Sequence, residues 1–156
     1  MTIMTETTLY TSLPRTLYTQ LAQVKLLVCD VDGVFSDGRI YLGNAGEELK
    51  AFHTRDGYGV KALVKAGIPV AVITGRRSAI VENRMKALNV DPIIQGEENK
   101  ADALQDLMRS LSLSSEHVAA VGDDMPDPGM FEHSAINIAA NGAHPKGETQ
   151  AYCGWV

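Results

Sequence analysis

The chain has 156 residues, 45% of them hydrophobic and 21% charged, with a formal net charge of −5. That length suits one domain with a real core, over 1–156. The acidic balance, without any basic run, argues against a nucleic-acid partner. Two cysteines, Cys29 and Cys153, make no disulfide framework or metal cluster. No apolar run reaches membrane length, and the N-terminus lacks a charged region followed by an apolar core. A cytoplasmic protein with no membrane partner is the expectation.

Met1 to Ser12 is rich in Thr and reads as loose. Pro14 suits the first turn of a helix on which Leu17 and Leu21 face the domain. Lys25 to Cys29 is then a short apolar run, the pattern of a strand buried on both faces. Asp30, Asp32 and Gly33 follow it directly. Open α/β sheets bind ligands at the carboxyl ends of their strands, so both aspartates are expected at a pocket rim. Two carboxylates that close call for a cation, a shared proton or a phosphoryl group between them. Taken alone, the stretch is also an ordinary strand with an Asp-Gly turn.

Arg39–Leu42 and Glu48–Phe52 are strand-like runs around a Gly-Asn-Ala-Gly turn, a β-hairpin inserted after the acidic loop. Asp56 is expected to cap a helix from Tyr58 to Ala66, ended by Gly67. Ile68 to Ile73 is the next strand, with Thr74, Gly75 and Arg76 at its end. Ser78 to Leu88 reads as helix, Pro92 to Gln95 as a short strand, and Lys100 to Leu111 as a helix. Val118 to Val121 is a fourth strand, running into Gly122, Asp123, Asp124 and Asp127, and Ala135 to Ile138 a fifth. The alternation predicts an α/β fold, a parallel sheet with helices on both faces. It gathers five carboxylates, one hydroxyl and one lysine at a single sheet edge. So much like charge requires a divalent cation, and all-oxygen ligation points to Mg2+.

In combination these segments resemble the four motifs of haloacid-dehalogenase (HAD) superfamily phosphatases: Asp30–Val34, Ile73–Gly75, Lys100 and Gly122–Asp127. The segments Gly46–Gly59, Thr74–Arg76 and Gln95-Gly96 are similar to the 3-deoxy-D-manno-octulosonate 8-phosphate (KDO 8-phosphate) phosphatase family. The resemblance implies a Rossmann-like HAD fold in which the hairpin, about 34–52, stands in place of a cap domain. It implies hydrolysis of a small anionic sugar phosphate in lipopolysaccharide precursor synthesis. Asp30 would be the nucleophile, Asp32 the general acid and base, and Thr74 and Gly75 phosphate contacts. Lys100 would neutralise charge. Asp30, the Asp32 carbonyl and Asp123 would hold Mg2+, with Asp124 and Asp127 behind them. Substrate contacts are implied at Asp32, His53, Thr54, Arg55, Asp56, Gly57, Lys61, Arg76, Arg84 and Lys100, and a homotetramer is implied with them. From about Pro128 the similarity fades, and Lys146 to Val156 departs from it, the sign of a shortened or altered C-terminus. Two alternatives accompany this reading: a phosphatase of a nine-carbon sugar-acid phosphate, and a non-catalytic tetramerisation module.

Overall fold

The computed structural model describes residues 4–8, 11–123, 128–140 and 153–154. Six strands form one parallel sheet: β3 (Leu26–Cys29), β6 (Val70–Thr74), β7 (Ile93–Gln95), β8 (Val118–Gly122), β9 (Ile136–Ala139) and β10 (Cys153–Gly154). Their spatial order is β10-β9-β8-β3-β6-β7. From β3 the chain steps one way through β6 to β7, then returns to the other side of β3 for β8. The winding direction therefore changes between β3 and β8, where open α/β sheets leave a crevice.

Period-two alternation on the strands sorts the core into two layers. Leu26 and Val28 of β3, Ala71 and Ile73 of β6, and Val118 and Ala120 of β8 face one side. They pack there with Leu104, Leu107 and Met108 of α4 (Lys100–Leu111) and with α5 (Pro128–Phe131). Cys29, Val70 and Val72 face the other side, against α2 (Thr54–Lys65) and α3 (Ala79–Ala87). Leu17 of α1 (Arg15–Leu21) covers Ala119 and Ile136 on that same side. Both faces of the central strands are thus covered, which is why they read as unbroken apolar runs. Each fully buried aliphatic side chain contributes roughly 1.5–3 kcal/mol.

The N-terminal stretch is not wholly loose: β1 (Thr5–Thr7) pairs antiparallel with β2 (Ser12–Pro14). Helix α2 starts at Thr54, four residues before the expected Tyr58, because His53 and not Asp56 is the cap: its Nδ1 accepts the Arg55 N–H at 3.0 Å. Gly57 therefore lies inside a helix, where glycine is normally unfavourable. A Cβ there would come within 2.6 Å of Arg84 Nη2 on α3 and 3.2 Å of Leu88 Cδ2 just past its end, so the helices are close at this point. The hairpin strands are shorter than expected, β4 (Tyr41–Leu42) and β5 (Glu48–Leu49). A single bridge between Ser36 and Phe52 closes their base.

Candidate active site

The site is built at the carboxyl ends of β3 and β8. In register, Cys29 lies opposite Val121, so Asp30 and Asp123 leave neighbouring strands at almost the same height. The Asp30 N–H donates to the Val121 carbonyl at 3.0 Å, continuing the ladder one residue past β3. This fixes the backbone beneath the Asp30 carboxylate, which is itself buried. The chain then turns at Gly33 with φ +86, a left-handed value that favours glycine. A Cβ at Gly33 would overlap the Asp123 carboxylate, so the glycine backbone and that carboxylate are in close apposition.

Lys100 occupies the first position of α4. A lysine there opposes the helix dipole, which favours anions at the N-terminus. The side chain instead reaches across the sheet edge, and its Nζ lies 2.9 Å from Asp30 Oδ1. The two side chains are only 3% and 8% exposed. A charge pair so removed from water persists only with good geometry and further hydrogen bonding. Asn99 caps α4, its side chain accepting from the Asp102 N–H at 3.4 Å, which sets where Lys100 begins the helix. Thr74, also buried, ends β6 beside β3.

Asp32 lies in a wetter place, with its side chain 22% exposed. Its Oδ2 is 4.0 Å from Arg76 Nε, and its Oδ1 accepts the Ser36 hydroxyl at 3.3 Å. Oδ1 also takes the ammonium of Lys50, which arrives from the hairpin. Lys50 and Glu48 lie in the expected strand-like run Glu48–Phe52 but were not among the expected site residues. The signal was their spacing of two on a strand, which turns both side chains to one side.

The other expected contacts divide. Arg84 spans from α3 to the start of α2, beside Gly57 and 5.9 Å from the Phe52 ring centre. His53, Thr54, Arg55 and Asp56 form the cap and first turn of α2, all exposed. Lys61 is exposed further along α2 and forms no ion pair among the described residues. Asp124 and Asp127 lie outside the described residues. An apolar groove of about 740 Å³ opens beside α2, bordered by Leu21, Val24, Val60 and Leu63. Among the described residues its lining holds no lysine or arginine, and it reaches the charged edge at Gly33 and Asp56.

The donor set fits a hard cation that prefers oxygen. Asp30 and Asp123 supply carboxylates next to the Asp32–Gly33 backbone, where a Cβ would close the gap. Among the described residues no three His, Cys, Asp or Glu side chains are grouped to hold a metal by themselves. A main-chain oxygen would have to complete the set. Cys29, directly before Asp30, is no ligand candidate. Burial pushes its thiol far above the usual range and the Asp30 charge adds to this, so it stays protonated.

A model of haloacid dehalogenase-like hydrolases matches residues 92–153. The 3-deoxy-D-manno-octulosonate 8-phosphate phosphatase KdsC of Salmonella typhi is 46% identical over 127 residues, covering 81% of this chain and 68% of that protein. The chain belongs to the haloacid dehalogenase-like hydrolases. This HAD membership extends to the whole fold. A crystal structure of the same-named phosphatase from Yersinia pestis, 39% identical, superposes with a TM-score of 0.93 over 98% of this chain and 83% of its own. That from Moraxella catarrhalis, in complex with a magnesium ion, a phosphate ion and KDO, is 36% identical. It gives a TM-score of 0.88 over 91% of this chain and 82% of its own. The family match extends to residue 153, past Pro128, where the motifs fade from view in the sequence.

Proposed function

We propose that this HAD hydrolase is a Mg2+-dependent phosphomonoesterase that converts KDO 8-phosphate to KDO and phosphate, through an aspartyl-phosphate on Asp30. The observation that carries this is the buried Lys100–Asp30 pair at 2.9 Å, set beside Asp32 and Asp123 at the sheet's switch point. The names of the relatives supply the sugar, and the chain's own residues supply the chemistry.

Asp30 attacks phosphorus, forming the Asp30–O–P bond as the bond to the sugar oxygen breaks. Asp32 gives its proton to that oxygen, then takes one from the water that cleaves the acyl phosphate. Lys100 holds Asp30 in line and offsets negative charge on the transferring group. Thr74 and the Gly75 backbone contact the phosphoryl oxygens. Asp30, the Asp32 carbonyl and Asp123 would hold Mg2+, with Asp124 and Asp127 behind them. The bound ion would supply positive charge that lets an anionic nucleophile meet an anionic phosphate. Arg76 and Arg84, with the start of α2, contact the sugar acid, whose carboxylate suits a guanidinium.

The whole of 1–156 acts as a single domain in the cytoplasm, in lipopolysaccharide precursor synthesis. Among the described residues no helix is long and apolar enough to cross a membrane. A homotetramer is the expected assembly. Its support is the apolar tip of the hairpin, where Leu42 and Leu49 are 73% and 62% exposed. Sedimentation of the protein tests this.

The deciding assay is phosphate release from KDO 8-phosphate with Mg2+, with chelator, and with Asp30→Asn. Release that needs the metal and disappears in the variant supports the whole reading. Turnover of other phosphates but not this one moves the substrate, for instance to a nine-carbon sugar acid. A folded protein inert on every phosphate refutes the phosphatase reading in favour of a tetramerisation module.

A further inference from the structure

The hairpin brings charge into the site as well as apolar surface to its tip. Lys50 follows β5, and its side chain is 0% exposed. Lysine is almost never fully buried unless it is paired. Here the ammonium meets Asp32 Oδ1 and lies 3.5 Å from Glu48 Oε1. Glu48 Oε1 is buried and makes no hydrogen bond among the described residues, so the lysine charge is what offsets its burial. Glu48 Oε2 lies 3.9 Å from Arg76 Nη2. The Ser36–Phe52 bridge ties this segment to the turn that carries Asp32.

We propose that Lys50 is a positioning residue for Asp32: it pins Oδ1 and leaves Oδ2 as the oxygen that carries the proton. The inference rests on the phosphatase reading above. Oδ1 receives both the Lys50 ammonium and the Ser36 hydroxyl, two donors on one oxygen. Oδ2 is turned toward Arg76, whose side chain is 52% exposed and marks the open side of the site. A sugar alkoxide is a poor leaving group, so its departure needs a proton delivered along a fixed line. With Oδ1 held, the Oδ2–H bond breaks as the proton passes to the sugar oxygen, and the electron pair of the P–O bond goes to that same oxygen. Glu48 acts through the two cations, spanning Lys50 and Arg76. The hairpin is thereby part of the catalytic centre's framework and not only a surface for assembly.

The test compares Lys50→Met and Lys50→Arg with the unaltered protein. Substrates are KDO 8-phosphate and a series of aryl phosphates whose phenols span a range of acidity, all with saturating Mg2+. Losing a positioned general acid costs on the order of 10²-fold in kcat for an alcohol leaving group. Lys50→Met should show that loss on the sugar phosphate with KM changed less than about threefold, and progressively less loss as the phenol becomes more acidic. Lys50→Arg, which keeps a cation, should recover part of it. A melting temperature within a few degrees of the unaltered protein separates the effect from unfolding. If Lys50→Met does not fold, Lys50→Gln must show the same graded loss. Equal loss on every leaving group, loss in KM alone, or no loss would overturn the proposal. An unaltered protein active on aryl phosphates but not on the sugar would refute the substrate while the aryl series still decides Lys50. An unaltered protein inert on all of them would refute the phosphatase reading, and this proposal with it.

Discussion

Removing the Lys100 ammonium while keeping its bulk, as in Lys100→Met, leaves Asp30 as a carboxylate only 8% exposed with its cation gone. Breaking a buried ion pair from one side costs about 3–5 kcal/mol, because the remaining charge loses its cation and stays out of water. In a chain of 156 residues that is a drop in melting temperature of about 6–20 °C. Thermal unfolding followed by circular dichroism in chelator measures it. Adding Asp30→Asn removes the buried charge, so the double variant should recover more than half of the loss. Mg2+ should raise the melting temperature of Lys100→Met more than that of the unaltered protein, since a cation at Asp30 replaces part of the missing charge. A loss under about 1 kcal/mol, the range of exposed pairs, would refute the reasoning. So would a double variant no more stable than the single one.

Gly33→Ala must place a side chain at φ +86, costing about 1–2 kcal/mol, and must displace the Asp123 carboxylate. The Mg2+ concentration for half activity should rise by about 10–100-fold, and an unchanged titration would show that Asp123 does not serve the metal. Cys29 should resist iodoacetamide in the native protein at pH 8–9 and react fully in urea, because burial keeps its thiol protonated. Rapid native labelling would contradict that. The Tyr41 hydroxyl, at 2.7 Å, holds the Asp37 carboxyl below the usual range, helped by the Arg39 N–H. Its contribution to stability is therefore present above the unfolded carboxyl value near pH 4 and lost as pH falls through the lower folded value. Asp37→Asn should melt lower than the unaltered protein at neutral pH, with the gap closing as pH falls through the lowered folded value. A gap that persists in acid would show that the carboxylate charge is not the cause.

The regular elements were legible wherever one physical requirement dominated. Strands β3, β6 and β8 lie between two helical layers, so their apolar runs had no competing explanation. Helix α4 runs Lys100–Leu111 as its apolar spacing predicts, with Leu104, Leu107 and Met108 buried. The start of α2 was not legible, since an imidazole cap is rare and two glycines argue against helix. The close approach of Arg84 and Leu88 to Gly57 is visible only in the folded chain.

The candidate site divides along the same line. Asp30, Asp32, Thr74, Lys100 and Asp123 are readable in the sequence because each sits at a strand end or helix start, and parallel topology gathers those points at one edge. Local chemistry and one topological rule suffice for them. Lys50 reaches Asp32 across a separation of 18 residues. Glu48 bridges two cations that come from different loops. Their spacing of two turns both side chains to one side, but only the closed chain shows that this side faces Asp32. Residue order alone therefore determined which groups stand at the sheet edge. The tertiary structure decided how the hairpin folds back and which oxygen of Asp32 it holds, because the Ser36–Phe52 bridge and the burial of Lys50 exist only once the chain has closed on itself.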